Sequence, residues 1–233
     1  MRLLPQEPSA AGFMLISFLY SLILCPLSPP LAALALGLFL LHFLTFDVTF
    51  MRLKASLRRA LPFLTLNVVP YLLLPFFVRT NFWVLLIPAA LILSYLYLSK
   101  SRDNPHAYIL GSAIPTVTAF TVFFLAPRVE ASHLVFWYAL AVYVSATAAY
   151  IESKLPWRKV SGKTGLLVWT LSLPVLLFKP FSVVAFVEPT VKFVRNAIKV
   201  VKIDPREIKK LGWVEMSRFL LYSTLLLIIF KLF

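Results

Sequence analysis

The chain is divided by its own punctuation into apolar runs about as long as a lipid bilayer is thick, and that spacing leaves few folds open. Runs occupy 10–26, 31–49, 60–78, 82–99, 107–126, 132–150, 163–178 and 212–231, with a contested stretch at 180–198. A helix needs roughly 20 apolar residues to cross the hydrocarbon core, so each run predicts one transmembrane helix. Between them stand Pro26-Leu27-Ser28-Pro29-Pro30, Arg79-Thr80-Asn81, Lys100-Ser101-Arg102-Asp103-Asn104-Pro105 and Pro127-Arg128-Val129-Glu130, turn-forming and polar as connections should be. Composition agrees: 61% of residues are hydrophobic and 14% charged, against about 45–50% and about 25% in soluble domains. A soluble core is excluded, and so is disorder, which needs low hydrophobicity. The prediction is an all-α polytopic bundle of about nine helices, one transmembrane domain over 1–233. The first run has Glu7 in its flank and no small-x-small cleavage pattern, so it is expected to be a retained helix rather than a signal peptide. The single cysteine, Cys25, excludes an internal disulfide framework.

The region 179–211 decides the span count. Lys179-Pro180 interrupts the seventh run, after which Val187, Val191, Val194, Ile198 and Val201 recur at helical spacing. Lys192, Arg195, Lys199 and Lys202 take the other face, making 187–211 a basic amphipathic segment. If 187–203 lay on the membrane surface, the chain would cross eight times; if 180–198 spans, it crosses nine times. Cytoplasmic connections collect Lys and Arg. With nine spans and a cytoplasmic N-terminus, only Arg79, Arg128, Lys179 and Lys231 of the 23 basic residues fall outside. With eight spans the two sides come out nearly equal. Nine is the expectation, in the cell membrane.

Pro70, Pro75, Pro88, Pro115 and Pro174 fall within the apolar runs and should kink helices or free carbonyls. Ser112, Thr116, Thr118 and Thr121 form a stripe able to bond such carbonyls. Ala33 with Gly37, and Ser145 with Ala149, offer small-residue pairs for close helix contact. Trp157, Trp169 and Trp213 read as interface anchors.

Ionisable groups at membrane depth are costly and mark candidate sites. The candidates here are His42 and Asp47 in the second run, Glu152 closing the sixth and Glu215 opening the last, with Glu188 inside the eighth. Each carboxylate also has a plain structural reading: Asp47 can pair with Arg52, and Glu215 with Lys210 or Arg218. His42 and Asn67 suit interhelical hydrogen bonds. Arg58, Arg158 and Lys159 could receive an anionic headgroup. No phosphate loop, zinc spacing or dinucleotide fingerprint is present. The basic charge follows topology and headgroup anchoring, which speaks against nucleic acid as a partner; the bilayer itself is the expected one.

Leu4-Pro5-Gln6-Glu7-Pro8 leading into Gly12-Phe13-Met14-Leu15, together with Ile208-Lys209-Lys210-Leu211-Gly212-Trp213-Val214-Glu215 before the last run, resembles the opening and closing motifs of the YwiC-like integral membrane family. The family's His-Gly-Ala-Trp is replaced by Pro8-Ser9-Ala10-Ala11. That resemblance implies a multi-helix membrane protein and no defined activity. The helix count, with basic second-to-third and sixth-to-seventh connections, also resembles the UbiA-type prenyltransferases. Their Asp-rich motifs hold magnesium and a prenyl diphosphate at those two places. Here the first place offers Asp47 alone and the second Glu152 alone. The chemistry of that family requires at least two carboxylates per motif to hold Mg²⁺ together with the phosphate oxygens, and in the absence of paired carboxylates the ion is disfavoured as a cofactor.

The functional expectation is a cavity open to the cytoplasmic face that binds or modifies a lipid or isoprenoid. Asp47, Glu152 and Glu215 would stand at its mouth, with Arg58, Arg158 and Lys159 for the headgroup. The alternative is a non-catalytic membrane subunit or small-solute transporter whose charges serve topology alone.

Overall fold

The computed structural model describes residues 8–55, 57–100 and 104–233. The Leu4–Glu7 motif, Asp103 and the side chain of Arg52 lie outside the described residues.

Among the described residues there is helix and no strand. The α-helices are α1 (Pro8–Leu24), α2 (Pro29–Ala55), α3 (Leu57–Leu73), α4 (Leu86–Leu98), α5 (Pro105–Gly111) and α6 (Ala119–Leu125). They continue with α7 (Ala131–Lys154), α8 (Gly162–Thr170), α9 (Leu173–Phe178), α10 (Val183–Ile198) and α11 (Ile208–Leu232). Short 3-10 turns extend α3, lead into α4 and α10, and join α5 to α6, so that the described helices group into nine segments at the expected places. Four runs, Pro29–Thr49, Pro105–Leu125, Ala131–Lys154 and Ile208–Leu232, are long and apolar enough to cross a bilayer. The chain has the fold of an all-α membrane protein.

Local sequence explains the breaks. Asn104 caps α5, accepting from the His106 amide at 3.0 Å with Pro105 in the first turn, and Ser161 caps α8 by accepting from Lys163 at 3.3 Å. Pro115 sits in the 3-10 stretch Ile114–Thr118, and Thr118 Oγ1 donates to the Pro115 carbonyl at 3.1 Å and to that of Met14 at 2.7 Å. Pro174 opens α9 where the helical run restarts. Pro70, by contrast, is carried inside α3 along with Pro62.

Packing divides the chain into two compact units, residues 1–102 with 114–130 and residues 103–113 with 131–233. In the first unit Phe18 stacks on Phe39 with ring centroids 4.4 Å apart, beside buried Met14, Phe120, Phe123 and Phe124. Asn81 closes α6: its amide donates to the Phe124 carbonyl at 2.8 Å and its Nδ2 to that of Ala126 at 2.5 Å. Gly37 makes no close helix contact, since a Cβ there would meet nothing within 4 Å. The Ala33–Gly37 expectation therefore fails.

The second unit is built on α7, whose Tyr143 lies against Trp169, Phe193, Phe219 and Tyr222. Gly165 of α8 lets the backbones approach: a Cβ there would stand 3.3 Å from the Ala146 carbonyl oxygen and 3.4 Å from the Tyr150 nitrogen. Trp169 is not an interface anchor. It is 3% exposed and donates to Thr190 Oγ1 at 2.9 Å, whereas Trp157 and Trp213 are exposed. Lys202 reaches back to donate to the Ser153 and Leu155 carbonyls at the end of α7, at 2.8 and 3.1 Å, a cation on the negative end of the helix.

Helix α10 is shorter than the interfacial reading of 187–203. It stops at Ile198, so it does not run to 203. Its Val187, Val191, Val194 and Ile198 stripe is exposed, while Phe186, Pro189, Phe193 and Asn196 are buried together with Lys192. In a bilayer the apolar stripe can face lipid, and a charge turns inward only where partners await it.

Candidate functional site

The buried charges of the second unit form one connected chain. Lys192 Nζ lies 2.8 Å from Glu215 Oε2, with both side chains at most 4% exposed. Its other contacts are the Thr147 hydroxyl at 3.2 Å and the Tyr143 hydroxyl at 3.3 Å, which accounts for all three ammonium protons. The rings of Phe193, Tyr143 and Tyr150 surround it at 4.4, 4.7 and 5.3 Å, an arrangement that favours a cation. The second oxygen of Glu215 accepts from Arg218 Nη1 at 2.7 Å, and Arg218 Nε lies 3.1 Å from Glu188 Oε1. Two cations and two carboxylates thus alternate. The row begins in the interior and ends at Arg218 and Glu188, whose side chains are 35% and 44% exposed.

Helix geometry produces this row. Glu188 and Lys192 are four residues apart on α10, and Glu215 and Arg218 three apart on α11, so each pair shares a face. The four charges clip α10 to α11.

Above the outer end lies a cleft of about 450 Å³. Lys154, Arg195, Lys199 and Asn196 line it beside Glu188, Lys192 and Arg218. Among the described residues neither Arg195 nor Lys199 has a carboxylate within ion-pairing distance. Asn196 is anchored by its Nδ2, which donates to Ser153 Oγ at 3.0 Å and to the Gly162 carbonyl at 3.3 Å, and its buried Oδ1 accepts no hydrogen bond. Glu188 is the one carboxylate in the lining, against five cations. With Lys192 and Arg218 committed to Glu215 and Glu188, it is Lys154, Arg195 and Lys199 that give the lining its positive character.

The other residues singled out by the sequence are distributed elsewhere. Glu152 pairs with Arg158 at 2.9 Å, and the Arg158 guanidinium lies 4.6 Å from the Tyr108 ring centroid. Lys159 is exposed. Neither Glu152, Arg158 nor Lys159 lines the cleft. In the first unit Arg58 is exposed and Asp47 is half-buried on α2. Among the described residues no three His, Cys, Asp or Glu side chains come together.

His42 is held at both ring nitrogens, by Asn67 Oδ1 at 2.6 Å and by the Tyr71 hydroxyl at 2.6 Å. Asn67 Nδ2 donates in turn to Thr45 Oγ1 at 3.0 Å and to the Phe63 carbonyl at 2.7 Å. This closed network joins α2 to α3. Replacing His42 by Leu should cost about 0.6–1.7 kcal/mol, the range of interhelical hydrogen bonds in membranes. The loss is read as a lower unfolding midpoint in detergent, with Asn67→Leu giving a similar loss and the double variant less than their sum.

Of the candidates read from the sequence, then, Glu215 and Glu188 belong to the charge row. Arg218 as partner to Glu215 was legible from spacing. Lys192 and Asn196 were not read as site residues, and the pairing of Glu188 with Arg218 was not foreseen. Comparison with protein-family models, with curated proteins and with solved structures returns no match. What fold and site define is a class: a helical membrane protein with a basic cleft over an internal ion-pair row.

Proposed function

We propose that the protein binds an anionic lipid or isoprenoid, its phosphate in the basic cleft and its chain along the valine stripe of α10. The observation that carries this reading is that Arg195 on α10 and Lys199 at its C-cap, which lack carboxylate partners among the described residues, stand near the exposed Val187, Val191 and Val194 of the same helix. An amphiphile needs that juxtaposition of charge and apolar surface; a soluble anion needs only the charge. Lys154, Arg195, Lys199 and Lys202 gather where α7 and α10 end and α11 begins. By the positive-inside tendency, this end is the cytoplasmic one, which with nine spans places the N-terminus on the same side.

The test is thermal unfolding of the detergent-purified protein with short-chain lipids. Dioctanoyl phosphatidic acid should raise the midpoint by several degrees, since a ligand at a hundredfold its Kd stabilises by about 2.7 kcal/mol. Dioctanoyl phosphatidylcholine should not. The Arg195→Gln, Lys199→Gln double variant should fold and lose the response. Equal shifts for the neutral and acidic lipids, or an unchanged response in the double variant, would return these charges to a purely topological role.

A further inference from the structure

Resting on that reading, we infer that Lys202 is a positioning residue for the bound amphiphile: it fixes one wall of the cleft without lining it. That wall is the non-helical strap from Lys199 to Asp204, between α10 and α11. The chain leaves the helix at Lys199, whose backbone is already extended at φ −141° and ψ 110°. Side chains of an extended chain point alternately to opposite sides. Lys199 and Val201 line the cleft. Val200 packs the other way, over Gly162, where a Cβ would overlap its Cγ2. Lys202 likewise turns from the cleft, onto the end of α7.

The last carbonyls of a helix have no partner within it, and the strap takes them. Lys202 Nζ donates to those of Ser153 and Leu155 at 2.8 and 3.1 Å, and the Ile203 amide donates to that of Lys154, between them, at 3.1 Å. Two successive residues of the strap thus hold three successive carbonyls. The strap sets Lys199 in one lining with Lys154 and Arg195, like charges that oppose its closure. The charge-assisted bonds of Lys202 hold it there before any ligand arrives. An anion therefore meets cations already gathered and loses little affinity to ordering the chain. With the anchor gone, the ligand itself must order Lys199 and Val201.

Lys202 also carries a charge, and the experiment separates charge from position. Dioctanoyl phosphatidic acid is titrated into the detergent-purified full chain, with bound lipid counted by native mass spectrometry. Lys202→Met should weaken binding about tenfold, and Lys202→Arg, which keeps donors and charge, about twofold at most. Ile203→Pro removes the amide bond to Lys154 with no change in charge, and should weaken binding about fivefold. In a Lys199→Gln background Lys202→Met should weaken binding only about twofold, because the side chain it positions is gone; independent losses would multiply. A merely structural role would lower the unfolding midpoint without this dependence on Lys199.

Losses that multiply in the Lys199→Gln background, with Ile203→Pro binding as the wild type does, overturn the positioning role and make Lys202 one more cation acting through its charge. Wild-type affinity in Lys202→Met overturns the inference while leaving lipid binding standing. No binding of phosphatidic acid by the wild type overturns both.

Discussion

Replacing Lys192 by Met should destabilise the second unit by about 3–5 kcal/mol, the cost of breaking a buried ion pair by removing one partner. The substitution nearly conserves volume, so the loss is electrostatic. Glu215, 2% exposed, keeps Arg218 at 2.7 Å but loses its 2.8 Å contact with the ammonium. The Tyr143 and Thr147 hydroxyls lose the donor they share. Adding Glu215→Gln to Lys192→Met should restore part of the loss, because a neutral amide no longer leaves a charge unbalanced. Unfolding midpoints in one detergent measure both variants. A Lys192→Met protein as stable as the wild type would contradict the view that the row clips α10 to α11.

The second large effect is expected at Gly162, where α8 begins. A Cβ at this position would overlap the backbone oxygen of Asn196 and the Cγ2 of Val200. The Val200 side chain can move aside, but the carbonyl belongs to α10 and cannot shift alone. Gly162→Val should therefore lift the start of α8 off α10, costing about 1–3 kcal/mol or more as overpacking does. It should also break the 3.3 Å bond from Asn196 Nδ2 to the Gly162 carbonyl. The control lies within the same chain. Gly37 and Gly212 are helical, and a Cβ at either meets nothing within 4 Å. Gly37→Ala and Gly212→Ala should be neutral or stabilising by about 0.5–1 kcal/mol, since alanine orders a helix at less entropic cost. Equal losses at all three glycines would show that helix propensity, not close approach, governs Gly162.

The helices were legible because a bilayer-length apolar run with Pro and polar punctuation has few alternatives. The seventh and eighth segments fall at 162–178 and 180–198, against runs read at 163–178 and 180–198. The site was less legible because it depends on which face of α10 turns inward. A helix with a valine stripe and a basic stripe reads as apolar-in and charge-out, which holds for a protein in water. Here the valines are exposed and Lys192 is buried, while Arg195 and Lys199 stay exposed. Depth along the helices carries a signal that periodicity does not. Lys192 lies six residues before the end of α10, Glu215 seven after the start of α11, and Thr147 seven before the end of α7. At a rise of about 1.5 Å per residue, all three sit roughly 10 Å from those helix ends. A lone lysine and a lone carboxylate at equal depth on successive antiparallel helices are natural partners. Spacing along the chain also made Arg218 a candidate for Glu215, and that contact is present. Asn196 offered no such signal, since its partners Ser153 and Gly162 are set by the packing of α7 and α8 against α10.

The central claim, that an anionic amphiphile occupies the cleft with its chain along α10, is tested most directly by photolabelling. A phosphatidic acid carrying a diazirine near the glycerol end of one acyl chain is irradiated with the purified protein in neutral lipid, and the adducts are mapped by peptide mass spectrometry. The account predicts label concentrated on Val187, Val191 and Val194, suppressed by excess unlabelled phosphatidic acid and lost in the Arg195→Gln, Lys199→Gln variant. Label spread over exposed apolar residues such as Leu66, Leu93 and Leu221 as heavily as over α10, and indifferent to that variant, would contradict it.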